Sequence, residues 1–296
     1  MTTRKNSSLV ALLAVTVGAL TACSDGGESD DPAPIDKAKQ QLGEYVSDTT
    51  RIAGYRITPT VIEVTAGEPP SRETIFVSGE NAPVRQPVGD PAQPRTVPGK
   101  EFPLVESIEL AERLVEGCDG DSTVDVHVVS PGVVGTQATC DGVASSAYLA
   151  GTELKPVADA TSATGIAQLW SEIETAGLGS LLTRISIDVT DDEGSAQMIV
   201  TVLDSPYNRA YQWHRGLRQP SSSVNSPRTK PAKESFNLSD VPADKVGALM
   251  EEISRGLPPS DAIGYLTLEP GKGQVMLVVQ DTEGRELAAL SVNESN

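Results

Sequence analysis

The chain has 296 residues, of which 38% are hydrophobic and 4% aromatic, and a formal net charge of −18. So acidic a balance repels nucleic acid and anionic lipid head groups at long range, so neither is expected as a partner held by charge. With only His127 and His214, a histidine-rich zinc site is excluded, and with three cysteines at most one disulfide forms within the chain.

At the N-terminus Arg4 and Lys5 precede an apolar run, Leu9–Leu20. That run is too short to cross a bilayer, which takes about 20 residues. Leu20-Thr21-Ala22-Cys23 follows. Charge, apolar run, small residues and cysteine, in this order, resemble the lipobox signal peptide of bacterial lipoproteins. The resemblance covers residues 1–23 alone. It implies cleavage before Cys23 and acylation of its thiol, and hence a chain held at the cell membrane on its extracytoplasmic face. The mature chain, residues 23–296, would lose Arg4 and Lys5 but no acid, taking its charge from −18 to −20. Affinity for the bilayer then falls to the acyl chains, at about 0.8 kcal/mol per buried methylene. Residues 23–34 continue as an acidic Gly/Pro-containing tether with nothing apolar to pack.

Beyond the tether an amphipathic segment followed by β-rich runs recurs four times. The first copy predicts a helix over 35–46 and strands over Ile57–Val64 and Thr74–Val77. In the second, Ile108, Ala111, Leu114 and Val115 make one stripe of a helix over Val105–Glu116. Strands over Val124–Val129 and Gly135–Cys140 follow, with turns at Pro131-Gly132 and Asp141-Gly142. The third copy places Ile166, Leu169, Trp170 and Ile173 on one helix face, ended by Gly177 and Gly179. Its strands are Ile185–Val189, Met198–Leu203 and Arg209–His214, the first two divided by a turn at Asp191–Gly194. The fourth starts at a cap on Ser239 or Asp240 and buries Val246, Leu249, Met250 and Ile253. Strands over Ile263–Leu268, Gln274–Val279 and Leu287–Val292 complete it.

A Pro-rich linker recurs as well. Arg85–Glu101 and Arg218–Glu234 agree at nine of 17 positions without a gap. The linker joins copy one to copy two and copy three to copy four, so the chain reads as a tandem duplication of a two-unit half, spanning 35–160 and 161–296. One such unit of roughly 50 residues buries too little surface to stand alone, so units must pair to close a core. Short hairpins with no helix between consecutive strands point to the α+β class with antiparallel sheets. Outside the cytoplasm, Cys118 and Cys140 are expected to form a disulfide.

Chemistry-bearing patterns are sparse. His127 lies two residues from Asp125 on a strand, hence on the same face, but no G-x-S-x-G elbow accompanies it. Asp119–Asp125 approaches a calcium loop yet puts Val124 where glycine is required and Ser130 at the twelfth position. No nucleotide fingerprint occurs, and neither a cofactor nor a metal nor catalysis is expected. The candidate binding surface is the row Arg209, Tyr211, Trp213, Arg215 on one strand face, with the linker arginines Arg85, Arg95, Arg218 and Arg228. Rings interleaved with guanidinium groups stack on sugars or hold anionic ligands, and the same row also reads as core with snorkelling arginine stems. The expected function is a non-enzymatic, membrane-anchored lipoprotein that binds an envelope protein or a wall polymer. The alternative is a carrier of lipid or small solutes, with a cavity between the halves.

Overall fold

Short β-branched runs broken by Gly, Pro and Asp turns favour meanders over crossovers, and the pairing is antiparallel throughout the described strands. A computed structural model describes residues 42–43, 46, 50–58, 61–67, 73–77, 84–87, 95–157, 159–189, 196–204, 209–215, 222–224, 234–258, 262–271 and 273–293. The signal segment, Cys23, the tether and most of the helix expected over 35–46 lie outside them, as does the Asp191–Gly194 turn.

In the first half, β1 (Arg51–Ile57), β2 (Ile62–Ala66), β3 (Glu73–Val77) and β4 (Val84–Pro87) form a meander. The short β5 (Val97–Pro98) and a 3-10 turn over Gly99–Glu101 lead into α1 (Leu104–Glu116). Then come β6 (Ser122–Ser130), β7 (Val133–Cys140), β8 (Val143–Leu149) and β9 (Thr152–Glu153). The second half opens with α2 (Ala163–Thr175) and a meander of β10 (Leu182–Asp188), β11 (Gln197–Asp204), β12 (Arg209–Arg215) and β13 (Ser222–Val224). A 3-10 turn over Leu238–Asp240 precedes α3 (Ala243–Gly256), β14 (Ile263–Gly271), β15 (Gln274–Asp281) and β16 (Glu286–Ser291).

These strands make two sheets. One has nine strands in the order β4-β3-β2-β1-β6-β7-β8-β9, with β5 also on β1; the other has seven, β13-β12-β11-β10-β14-β15-β16. The units are therefore fused edge to edge rather than stacked. β1 pairs with β6, Gly54–Ile57 running against Val124–His127, and β10 pairs with β14, Ile185–Asp188 against Tyr265–Leu268.

Several elements depart from the sequence reading. The strand expected over Ile57–Val64 is two strands, because Pro59 has no amide hydrogen for a ladder and Thr58 closes a turn onto Val61. The Ser-rich run Val143–Leu149 and the edge Val84–Pro87 are strands, though neither shows clean apolar alternation. The cap expected for α3 at Ser239 or Asp240 serves the preceding 3-10 turn instead, where the Asn237 amide donates to the Asp240 carboxylate at 2.7 Å. α3 itself starts after Pro242, whose fixed φ suits a helix entry.

Each sheet buries one face. β15 alternates strictly, with Val275, Leu277 and Val279 buried and Met276 and Val278 half-buried. Ile166, Leu169, Trp170 and Ile173 of α2 and Val246, Met250 and Ile253 of α3 cover that face. The Trp170 indole N–H donates to the Val241 carbonyl at 2.6 Å, joining α2 to the approach of α3. In the first half Tyr55 sits edge-on to Phe102 at 5.9 Å, and its hydroxyl donates to Ser107 of α1 at 2.8 Å. Leu42, helical in backbone, is fully buried in the same core. The Cys118–Cys140 disulfide binds the end of α1 to the end of β7. Val129, Leu149 and Val157 of the first half pack into the core of the second.

Candidate functional site

Strand β12 carries the aromatic–arginine row, and its alternation puts Tyr211, Trp213 and Arg215 on the inner face. They are 0%, 2% and 3% exposed, so the row expected as a binding surface is an interior wall. Arg215 is held at every arm. Its Nε and Nη2 fork onto the Glu172 carboxylate of α2, the second at 3.0 Å. Nη2 also donates to the Lys155 carbonyl at 2.6 Å, and Nη1 to the Ala196 carbonyl at 3.3 Å. A guanidinium satisfied in this way binds β12, α2 and the segment between the halves; it does not await an anion.

The linker arginines divide. Arg85 is exposed and pairs with Glu73 across the β3–β4 edge at 2.7 Å. Arg95 turns inward: Nη1 donates to the Val129 carbonyl at 3.0 Å while the guanidinium lies 4.8 Å from the centre of the Tyr211 ring. The Tyr211 hydroxyl donates to the Val128 carbonyl at 3.4 Å. Arg95 thus marks the point where linker, first sheet and second sheet meet. Arg209 opens β12, and Arg218 and Arg228 lie outside the described residues.

His127 occupies a slot that spacing alone did not show. On β6 it stands opposite Gly54 of β1 and Gly135 of β7. A Cβ at Gly54 would lie 2.1 Å from the Val126 carbonyl oxygen, so only glycine lets β1 approach β6 there. A Cβ at Gly135 would lie 2.6 Å from the His127 ring, so the imidazole lies where that side chain would be. Both ring nitrogens are shut from solvent and lack a hydrogen-bond partner, although the residue as a whole is half-buried. The Asp125 carboxylate instead accepts from Arg56 Nε at 2.6 Å, so it does not orient the ring. Burial pulls the imidazole down to about 4. This histidine is neutral, partnerless and without access to a substrate.

A concavity open to solvent lies at the foot of α1. Val46, Lys100, Phe102, Leu104, Val105 and Gly132 are among the residues lining a groove of about 520 Å³. The 3-10 turn that carries Lys100 and Glu101 positions one wall, and the Gly132 amide fixes that turn by donating to the Glu101 carbonyl at 3.0 Å. Val105 projects with 65% of its surface exposed, whereas Phe102 is buried. Lys100 and Glu101 both recur in the second linker, as Lys233 and Glu234. Among the described residues no three His, Cys, Asp or Glu side chains stand close enough to hold a metal ion. No protein-family model matches the chain, and no curated protein matches it.

Arg215→Met should lower stability by about 3–5 kcal/mol, because it strands the nearly buried Glu172 carboxylate, and Arg215→Met with Glu172→Leu should recover much of that loss. Urea midpoints of the single and double variants measure the difference. His127 gives a pH signature. An unfolded imidazole protonates near pH 6.5, whereas the folded one stays neutral down to about 4. Between those values the unfolded chain binds the extra proton, so stability falls as pH is lowered and is unaffected by this group above pH 6.5. The full window is worth roughly 3 kcal/mol, and His127→Leu should remove that part of the slope in a series of urea midpoints against pH.

Proposed function

We propose that the protein is a lipid-anchored extracytoplasmic binding protein, non-enzymatic, which takes an apolar peptide segment of an envelope protein into the groove at the foot of α1. The observation that carries the reading is that groove, with solvent-facing Val105 on a wall set by a linker turn. Its apolar wall with Lys100 and Glu106 at the rim suits an extended peptide better than a sugar polymer. Sugar binding calls for open aromatic faces, and Tyr211, Trp213 and Phe102 are all buried. The extracytoplasmic address is supported by the Cys118–Cys140 disulfide, a bond that persists in oxidising compartments, and by the lipobox-like Leu20–Cys23. Against the carrier reading, Val129, Leu149 and Val157 at the junction of the halves are buried in the core of the second half.

We further read the two halves as a tandem duplication. In its favour, β4-β3-β2-β1-β6-β7-β8 and β13-β12-β11-β10-β14-β15-β16 follow one path, with α1 and α3 at the same step in each. The linker frames are offset, however: Arg85 lies inside β4, whereas Arg218 precedes β13 by four residues. The edge strand has shifted along the linker in one half.

Two experiments test the functional reading. Labelled palmitate should enter the wild-type chain and not Cys23→Ser; equal labelling of both, or of neither, would remove the anchor. Val105→Asp places a charge in the groove and should cut recovery of the envelope partner in a pull-down at least tenfold, about 1.4 kcal/mol, with an unchanged melting temperature. Undiminished recovery would remove the groove from the reading.

A further inference from the structure

The four sheet edges are not alike. β4 has four residues and ends at Pro87; β13 has three and lies beside β6 of the other sheet. The edge of β8 is covered in part by β9, whose Glu153 is exposed, and Leu154 donates back to the Ala147 carbonyl at 2.8 Å. β16 stands in the second sheet where β8 stands in the first, and no described strand lies on its outer side. Its six residues, Glu286-Leu-Ala-Ala-Leu-Ser291, contain no proline and no lysine, the residues that usually blunt an open edge.

The hydrogen-bond phase shows which groups are free to pair. The Val292 amide donates to the Val275 carbonyl at 2.9 Å, on the same register that sets Leu290 against Leu277. Antiparallel ladders alternate, so Leu290 and Ala288 turn their amides toward β15, and Ala289 turns its N–H and C=O outward. The Ala289 side chain is exposed as well.

We propose that β16 is a self-pairing edge, joining two copies of this chain antiparallel about a two-fold axis at Ala289. The strand is complementary to itself in that register. Ala289 meets Ala289 and exchanges both hydrogen bonds, while Ala288 meets Leu290 on either side, a small residue against a large one. Glu286 meets Val292, so no like charges oppose each other. The two seven-stranded sheets would then run on as one.

Cysteine scanning of the full chain tests the register. Directly opposed residues of a hydrogen-bonded pair lie about 5.5 Å apart at Cα, within disulfide reach. Ala289→Cys should therefore give a covalent dimer on mild oxidation. Ala288→Cys, opposite residue 290, should remain monomeric. Ala289→Pro removes an amide that the single chain does not use, so it should abolish dimers in sedimentation and leave a folded monomer whose melting temperature no longer depends on protein concentration. Cross-linking no stronger at 289 than at 288 would overturn the proposal, as would a wild-type chain that sediments as a monomer or links at 289 only to another protein. Should Ala289→Pro fail to fold, the cysteine pair and the wild-type sedimentation decide.

Discussion

Antiparallel pairing between the leading strands of successive meanders organises the molecule. A single helix with three or four short strands has one apolar face and too little area to bury it. Setting β1 against β6 and β10 against β14 makes each pair of meanders one sheet, wide enough to be covered by helices. The joint demands close backbone approach, which is why Gly54 lies under the Val126 carbonyl. The His127 ring, on the next strand, then fills the space that Gly135 leaves open.

The second level of organisation is the junction of the two sheets, and here polar groups do specific work. Arg95 and Arg215 each reach carbonyl oxygens that no ladder satisfies: Val129 for the first, Lys155 and Ala196 for the second. A buried carbonyl without a donor is costly, so these arginines supply donors where regular structure stops, Arg215 sharing the Lys155 carbonyl with the Gln168 side chain. Tyr211 gains twice, stacking on Arg95 and donating to Val128. Arg95 and Arg215, two of the cationic residues that look available for a ligand in the one-dimensional chain, are thereby consumed by the fold.

Much of the local structure was legible because it is written in short periods. The stripe of Ile166, Leu169, Trp170 and Ile173 and the alternation of Ile185 and Ile187 both appear as helix and strand with those residues inside. Cys118 and Cys140 were legible because, with Cys23 read as the acylated residue, the two that remain allow one pairing. The β1–β6 joint was not, since its partners lie about 70 residues apart in the chain and register leaves no local trace. Tyr211 and Trp213 were undecidable by spacing, because a face of alternating aromatics and arginines fits a core wall as well as a surface. Gly135 was the missed signal for His127, and it becomes one only once the strands are placed side by side. The groove was likewise out of reach, being made from Val46, Gly132 and the start of α1.

The disulfide bears on how the chain meets proteolysis. Cys118 and Cys140 enclose β6 and most of β7, and the turn between those strands, Pro131-Gly132, is exposed. Exposed hairpin tips are preferred sites of nicking. A protease that cut there would leave two fragments still covalently joined, with α1 clamped to β7 and the ladder beside it intact. Severing the backbone at this exposed tip would thus not release either piece.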